Sequence, residues 1–165
     1  LALAADSADI IITSGGVSEG EEDHVKAAVT TLGQLDVWKL AIKPGKPLAF
    51  GRVKQTPFFG LPGNPASVLV TFMVIARPFL LALQGCSNTH GHSLNARLVN
   101  PPKRPSIRQD YLRVRLVPSE QSGLIVEAMT NQNSGVLTTA MKGDGLAVVK
   151  ANTCGDDAQD AEFLP

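Results

Sequence analysis

Two short stretches concentrate groups suited to binding anions. In Lys43-Pro44-Gly45-Lys46-Pro47 two ammonium groups flank a loop whose backbone is stiffened by two prolines. The loop follows an apolar run that reads as a strand, and strand ends are where α/β proteins place ligands. In Ser14-Gly15-Gly16-Val17-Ser18 a glycine pair separates a β-branched run from an acidic helix start. Glycines let backbone N–H groups approach a phosphate closely, and a helix terminus behind them favours negative charge. A Gly-Gly pair also reads as a plain turn, and both readings stay open at this level. Asp23 closes the acidic group Glu19, Glu21, Glu22, Asp23. It could hold Mg²⁺, which takes one or two carboxylates plus substrate oxygens, or it could complement the helix dipole.

The elements that must position these groups follow from hydrophobic pattern and punctuation. Residues 8–13 form a β-branched run that reads as a buried strand of the parallel type. A helix is expected over 21–32, with Gly33 as its stop, then strands over 36–42, 48–53 and 58–61. Asn64 is placed to cap a long apolar helix with Pro65 at its first position, and Pro78 should kink or restart it before Gly85. Residues 86–92 read as a polar linker. Short alternating segments over 95–99, 110–117, 124–128 and 146–150, punctuated by Pro101-Pro102, Pro118 and Ser122-Gly123, read as all-β. The expectation is an α/β domain over 1–85 and a small β domain over 93–165.

Several functions are disfavoured. Fifteen basic and fifteen acidic residues balance among 165, without the basic excess of a nucleic-acid binder. The balance conceals segregation. Between Val37 and Pro57 the only charges are Lys39, Lys43, Lys46, Arg52 and Lys54, and between Arg97 and Arg115 six basic residues accompany the single acid Asp110. The apolar stretch over 66–83 is interrupted by Arg77 and Pro78, so it is expected to be a buried amphipathic or core helix and not a membrane span. Gly16-Val17-Ser18-Glu19-Gly20 matches a serine-hydrolase elbow in letters, but the turn is long and the histidines fall in a helix start and a linker. Lys43 to Lys46 lacks the glycine a phosphate-binding P-loop needs, since Leu40 stands there. Cys86, His90 and His92 lack a fourth zinc ligand, and two cysteines suit a reducing compartment.

Four phrases stand in order: DIIITSGGVSEGEEDHV over 9–25, WKLAIKPGKPLAFG over 38–51, FFGLPGNPASVLVTF over 58–72, and NSGVLTTAMKGDGLAVV over 133–149. Together they resemble the C-terminal part of the molybdopterin molybdenumtransferase family, which includes bacterial MoeA and the gephyrin E domain. The resemblance implies an α/β fold: a partial molybdopterin-binding (MoaB/MogA-like) domain followed by a small all-β, barrel-like domain. It implies insertion of molybdate into adenylylated molybdopterin with release of AMP, Mg²⁺ as cofactor, a homodimer, a cytoplasmic location, and a molybdopterin adenylyltransferase as pathway neighbour. Nucleic acid and membrane are not expected partners. An adenylyltransferase-like nucleotide-binding domain and a gephyrin-like scaffold module are the alternatives, and the β segment favours the first reading.

Carried over by residue, the resemblance implies catalytic roles for Asp23, Lys39 and Lys43, with Asp23 also the metal ligand. Ser14, Gly15, Gly16, Val17, Ser18, Pro62, Gly63, Asn64 and Pro65 would face phosphate and nucleotide. Lys43 and Lys46 would lie nearest molybdate. Arg113 and Ser134 would complete that site from across a dimer interface. Glu19 departs from the apolar residue usual in the family and adds negative charge beside the loop. Leu1 in place of Met suggests a piece of a longer protein, inactive alone and prone to self-association through uncovered strand edges.

Overall fold

A computed structural model describes residues 1–17, 24–119, 123–155 and 157–165, with the backbone alone for Val37 and Trp38. Helix α1 (Ala2–Ala5) leads into β1 (Ile11–Ser14). There follow α2 (His24–Leu32), β2 (Gly33–Lys39), β3 (Ile42–Lys43), β4 (Pro47–Val53) and β5 (Thr56–Leu61). A four-stranded mixed sheet has the order β1-β5-β4-β2, in which only the β1–β5 pairing is parallel.

The sheet is covered on both faces because β5 alternates. Phe58 packs with Val17, Val29 and Val53 on the α2 face. Phe59 packs with Leu48, Leu61 and Ala76 on the other, where its ring lies 4.8 Å from that of Phe50 and 5.0 Å from that of Phe79. Val17 locks the glycine loop to this sheet: a Cβ on Gly60 would collide with Val17 Cγ1. Gly60 is therefore needed for the loop to close.

The long helix runs as α3 (Pro65–Thr71), a wide π-helical turn over Phe72–Ala76, and α4 (Arg77–Leu83). Pro78 lacks an N–H and its ring would strike the carbonyl four residues back. The Arg77 N–H bonds to the Phe72 carbonyl instead, and the extra residue lets the helix continue. The expected kink is thus absorbed as a π turn. Pro65–Leu83 is long and apolar enough to cross a membrane by length and composition, with 28% of the window buried inside the fold.

After Gly85 the chain forms β6 (Leu94–Val99), β7 (Gln109–Val117), β8 (Leu124–Ala128), α5 (Leu137–Lys142), β9 (Gly145–Val149) and β10 (Gln159–Leu164). The order β7-β8-β6-β10-β9, closed by β9 pairing back to β7, makes a five-stranded barrel. Leu98, Val114, Val126, Ala147 and Phe163 fill its interior.

Three expectations change. The strand expected over 36–42 is two strands in two sheets: Leu40 N–H bonds to the Lys46 carbonyl, at 2.8 Å, and sends Ile42 and Lys43 away as β3, parallel to Gln109 and Asp110 of β7. Gly33 is not a helix cap, because β2 starts there opposite Val53. The first strand is only half buried, with Ile12 38% exposed at the sheet edge. The expected start of α2 over 21–23 lies outside the described residues.

The Val17–Gly60 contact sets a test. Gly60→Ala should destabilise by about 1–3 kcal/mol through overpacking, read as a lower thermal midpoint. Its penalty should shrink in a Val17→Ala background, a coupling that a double-mutant cycle measures.

Candidate functional site

β1 and β5 run parallel, and their C-terminal ends present two loops side by side. Ser14 pairs with Leu61, and the next two residues, Gly15 and Gly16, have φ of 83° and 71°. A Cβ on Gly63 would stand 3.6 Å from the Gly15 Cα, so the two loops touch backbone to backbone. The Gly15 N–H is not free for a phosphate, since it reaches the carbonyls of Leu61, at 2.9 Å, and Pro62, at 3.2 Å. Val17 is 2% exposed and serves as the loop's anchor in the core, not as a ligand-facing side chain. Pro62 is buried as well, whereas Gly63, Asn64 and Pro65 are exposed. Ser18 and Asp23 lie outside the described residues.

Asn64 stands at the N-cap of α3 without a side-chain capping bond. Its Nδ2 donates to Ser134 Oγ at 3.2 Å, and the Ala66 N–H donates to the Ser134 carbonyl at 3.0 Å. The helix end expected to face a nucleotide is therefore covered, because Ser134 satisfies one of its orphan donors. The covering is intramolecular. The approach of Ser134 across a dimer interface, which the resemblance implied, is made here within one chain.

Arg113 is buried, 2% exposed. Its Nε reaches Thr139 Oγ1 at 3.4 Å, and one terminal nitrogen donates to the carbonyls of Asn131, at 3.4 Å, and Asn133, at 3.2 Å. Gln132 clamps the Arg113 backbone from both sides: Oε1 accepts its N–H at 3.0 Å and Nε2 donates to its carbonyl at 2.8 Å. Arg113 thus shapes the loop that carries Ser134. Among the described residues it has no ion pair, and burial pulls its pKa below the usual arginine value.

The lysine loop is built by its connection to the barrel. Lys39 ends β2, exposed, opposite Pro47. The Lys43–Pro44 peptide is cis, and Gly45 adopts φ 111° where a Cβ would meet Thr71 Cγ2 at 2.5 Å. Lys46 is exposed at the neck of the loop. Lys43 does not point freely to solvent: its Nζ lies 3.5 Å from Oδ2 of Asp110, a side chain only 3% exposed. A cavity of about 720 Å³ opens beside this pair, lined also by Lys103, Arg115, Gln132 and Thr139. Lys43 and the supports of Arg113 therefore share one cavity wall.

Asp110, Gln132 and Thr139 were not among the expected site residues. Asp110 was visible only as the lone acid in a basic stretch, and Gln132 as a neighbour of Ser134. Among the described residues no cluster of three or more His, Cys, Asp or Glu side chains could hold a metal.

The two loop lysines now separate. As exposed loop residues both would be expected to tolerate removal, yet Lys43 compensates a buried carboxylate. Discounting for the solvent exposure of Lys43, Lys43→Met should cost about 1–2 kcal/mol. That is a drop of roughly 3–6 °C in Tm. Lys46→Ala should leave Tm within about 1 °C. Differential scanning calorimetry reads both.

Comparison with known proteins agrees over both halves of the chain. Residues 1–82 match the model for a probable molybdopterin binding domain, and residues 95–158 match the MoeA C-terminal region, domain IV. A molybdopterin molybdenumtransferase of Haemophilus influenzae is 38% identical over 150 residues, covering 90% of this chain and 37% of that protein. The molybdenum cofactor synthesis protein cinnamon of Drosophila melanogaster is 36% identical over 151 residues, covering 88% and 24%. The crystal structure of a molybdopterin biosynthesis MoeA protein from Pyrococcus horikosii superposes with a TM-score of 0.74 at 29% identity, over 98% of this chain and 38% of that one. The chain thus spans little more than a third of the first of these relatives. With both halves matched in order, and with the sheet, the barrel and their junction in place, the chain belongs to the molybdopterin molybdenumtransferase family.

Proposed function

We propose that the protein carrying this chain inserts molybdate into adenylylated molybdopterin with release of AMP, and that this chain contributes the oxyanion end of the site. The observation that carries the reading is the buried guanidinium of Arg113, whose acceptors among the described residues are all neutral. A buried charge is costly without a counter-charge, and an oxyanion seated beside the 131–134 loop would supply one. Ser134 Oγ and the ammonium groups of Lys43 and Lys46 are the further donors in this reading. Two anions, molybdate and a nucleotide phosphate, must meet in the reaction, and fixed positive charge offsets their repulsion. Lys39, at the end of β2, extends that charge toward the phosphate side.

The finer parts of the reading rest on the family likeness. Mg²⁺ would be held by Asp23, since the ion takes one or two carboxylates and keeps water and substrate oxygens in its shell. Bound there, it would neutralise charge on the anhydride. Ser14, Gly16, Ser18, Gly63 and Pro65 would flank the nucleotide. The β segment separates this reading from an adenylyltransferase-like one, because residues 95–158 match the family's domain IV. A cytoplasmic homodimer supplied by a molybdopterin adenylyltransferase is part of the same proposal. The exposed Ile12 edge and the partly covered Pro65–Leu83 helix support self-association.

The test is molybdate-dependent AMP release by the full-length protein. Ser134→Ala should lower apparent molybdate affinity about 5-fold, the worth of one hydrogen bond, with Tm nearly unchanged. AMP release indifferent to molybdate would overturn the proposal. Robust turnover by the isolated 165 residues would contradict the view that this chain supplies only part of the site.

A further inference from the structure

We propose that Asp110 is a positioning residue for Lys43, so that the barrel sets the geometry of the lysine loop through one ion pair. The inference rests on the reading that Lys43 serves an oxyanion site. Asp110 stands in register with Lys43 in the parallel β3–β7 pairing. Two further bonds fix the strand itself: the Gln109 N–H to the Ala41 carbonyl at 2.9 Å, and one Arg108 terminal nitrogen to the Ile42 carbonyl at 3.2 Å. The backbone of β3 is thus held by the barrel, and Asp110 is the group that then restrains the free end of the side chain.

The state of Asp110 supports this assignment. Its carboxylate is almost wholly buried, Oδ2 faces Lys43, and Oδ1 is buried with no hydrogen-bond partner among the described residues. A carboxylate left half unsatisfied is expensive, and replacing both members of such a pair by well-packed apolar residues is often neutral or stabilising. An aspartate whose only described partner is the lysine beside the cavity is therefore poorly explained by stability alone. It is well explained if Lys43, with a long four-carbon stem and high rotamer freedom, has to be held in one place. The pair leaves Lys43 half exposed, at 51%, so its ammonium keeps donors available for a ligand.

The sign of the expected effect discriminates. By charge alone, removing a carboxylate near an oxyanion should tighten binding. Positioning predicts the opposite. Molybdate binding to the full-length protein, followed by calorimetry, should weaken about 5-fold in Asp110→Asn and stay within 2-fold of the parent in Asp110→Glu. In a Lys43→Met background, Asp110→Asn should have no further effect. Unchanged or tighter binding in Asp110→Asn, or the same loss without Lys43, would overturn the proposal.

A second measurement does not depend on molybdate, and its first reading needs no variant. In the parent chain, pulsed acylation read by mass spectrometry should modify Lys43 at least 3-fold more slowly than Lys46. Asp110→Asn should raise the Lys43 rate alone, and Asp110→Glu should keep it low. Equal rates for the two lysines in the parent chain would overturn the positioning role. Slow acylation of Lys43 combined with molybdate binding indifferent to Lys43→Met would leave the pair intact and defeat the oxyanion reading instead.

Discussion

Two residues of backbone, Ile42 and Lys43, leave the edge of the four-stranded sheet and lie parallel on Gln109 and Asp110 of the barrel. The position of the charges at the junction follows from that pairing. It turns the lysine loop toward the second domain, and Gly45 seats the loop against Thr71 on the flank of α3. The N-terminus of the same helix takes Ser134 from the loop that Arg113 holds. A short strand shared between two cores thereby brings together groups far apart in the sequence, Lys43 with Asp110 and Asn64 with Ser134. The hydrogen bond between Leu40 and Lys46 is its local counterpart, closing the loop at the point where the chain changes sheets.

The junction is electrostatically unusual in two places. Arg113 and Asp110 are both buried, with 2% exposure each, yet they are not partners. Arg113 is met by carbonyls and a hydroxyl, and Asp110 by the exposed end of Lys43. A fold selected only for stability would pair two such charges or replace them, since desolvation outweighs much of what a loose ion pair returns. Asp110 lines the cavity beside Lys43, and the Gln132 and Thr139 that hold Arg113 line it as well. The hydrophobic terms elsewhere, in the Phe50–Phe59–Phe79 cluster and in the barrel interior, supply the stability that tolerates these buried charges.

Much of this architecture could be read from the chain. Periodicity and β-branched runs located most of the strands, and Pro65 after Asn64 marked the start of α3 correctly. What stayed hidden was decided by tertiary contact. No local signal separates Lys39 from Ile42 into different sheets, because both lie in one apolar run; a hydrogen bond from Leu40 to Lys46 makes the break. The π turn before Pro78 depends on the helix gaining more by staying packed on Phe59 than by breaking. At the site, residue type singled out Lys43 and Asn64, and the family resemblance singled out Arg113 and Ser134, but neither showed the contacts these side chains make. Val17 looks like a ligand contact in a motif and is buried as an apolar anchor, while Arg113 also frames the loop that carries Ser134. Asp110, a single acid among six basic residues, carried its meaning only through its register opposite Lys43.

The central claim is that both halves of the chain contribute to one oxyanion site at their junction. A crystal soaked in tungstate, whose heavy atom stands in for molybdenum, tests it most directly through anomalous scattering. One dominant tungsten peak is expected within hydrogen-bonding reach of Ser134 Oγ and of either Lys43 Nζ or Lys46 Nζ, beside the loop that Arg113 supports. A dominant peak elsewhere, or one touching residues of a single half alone, would contradict it.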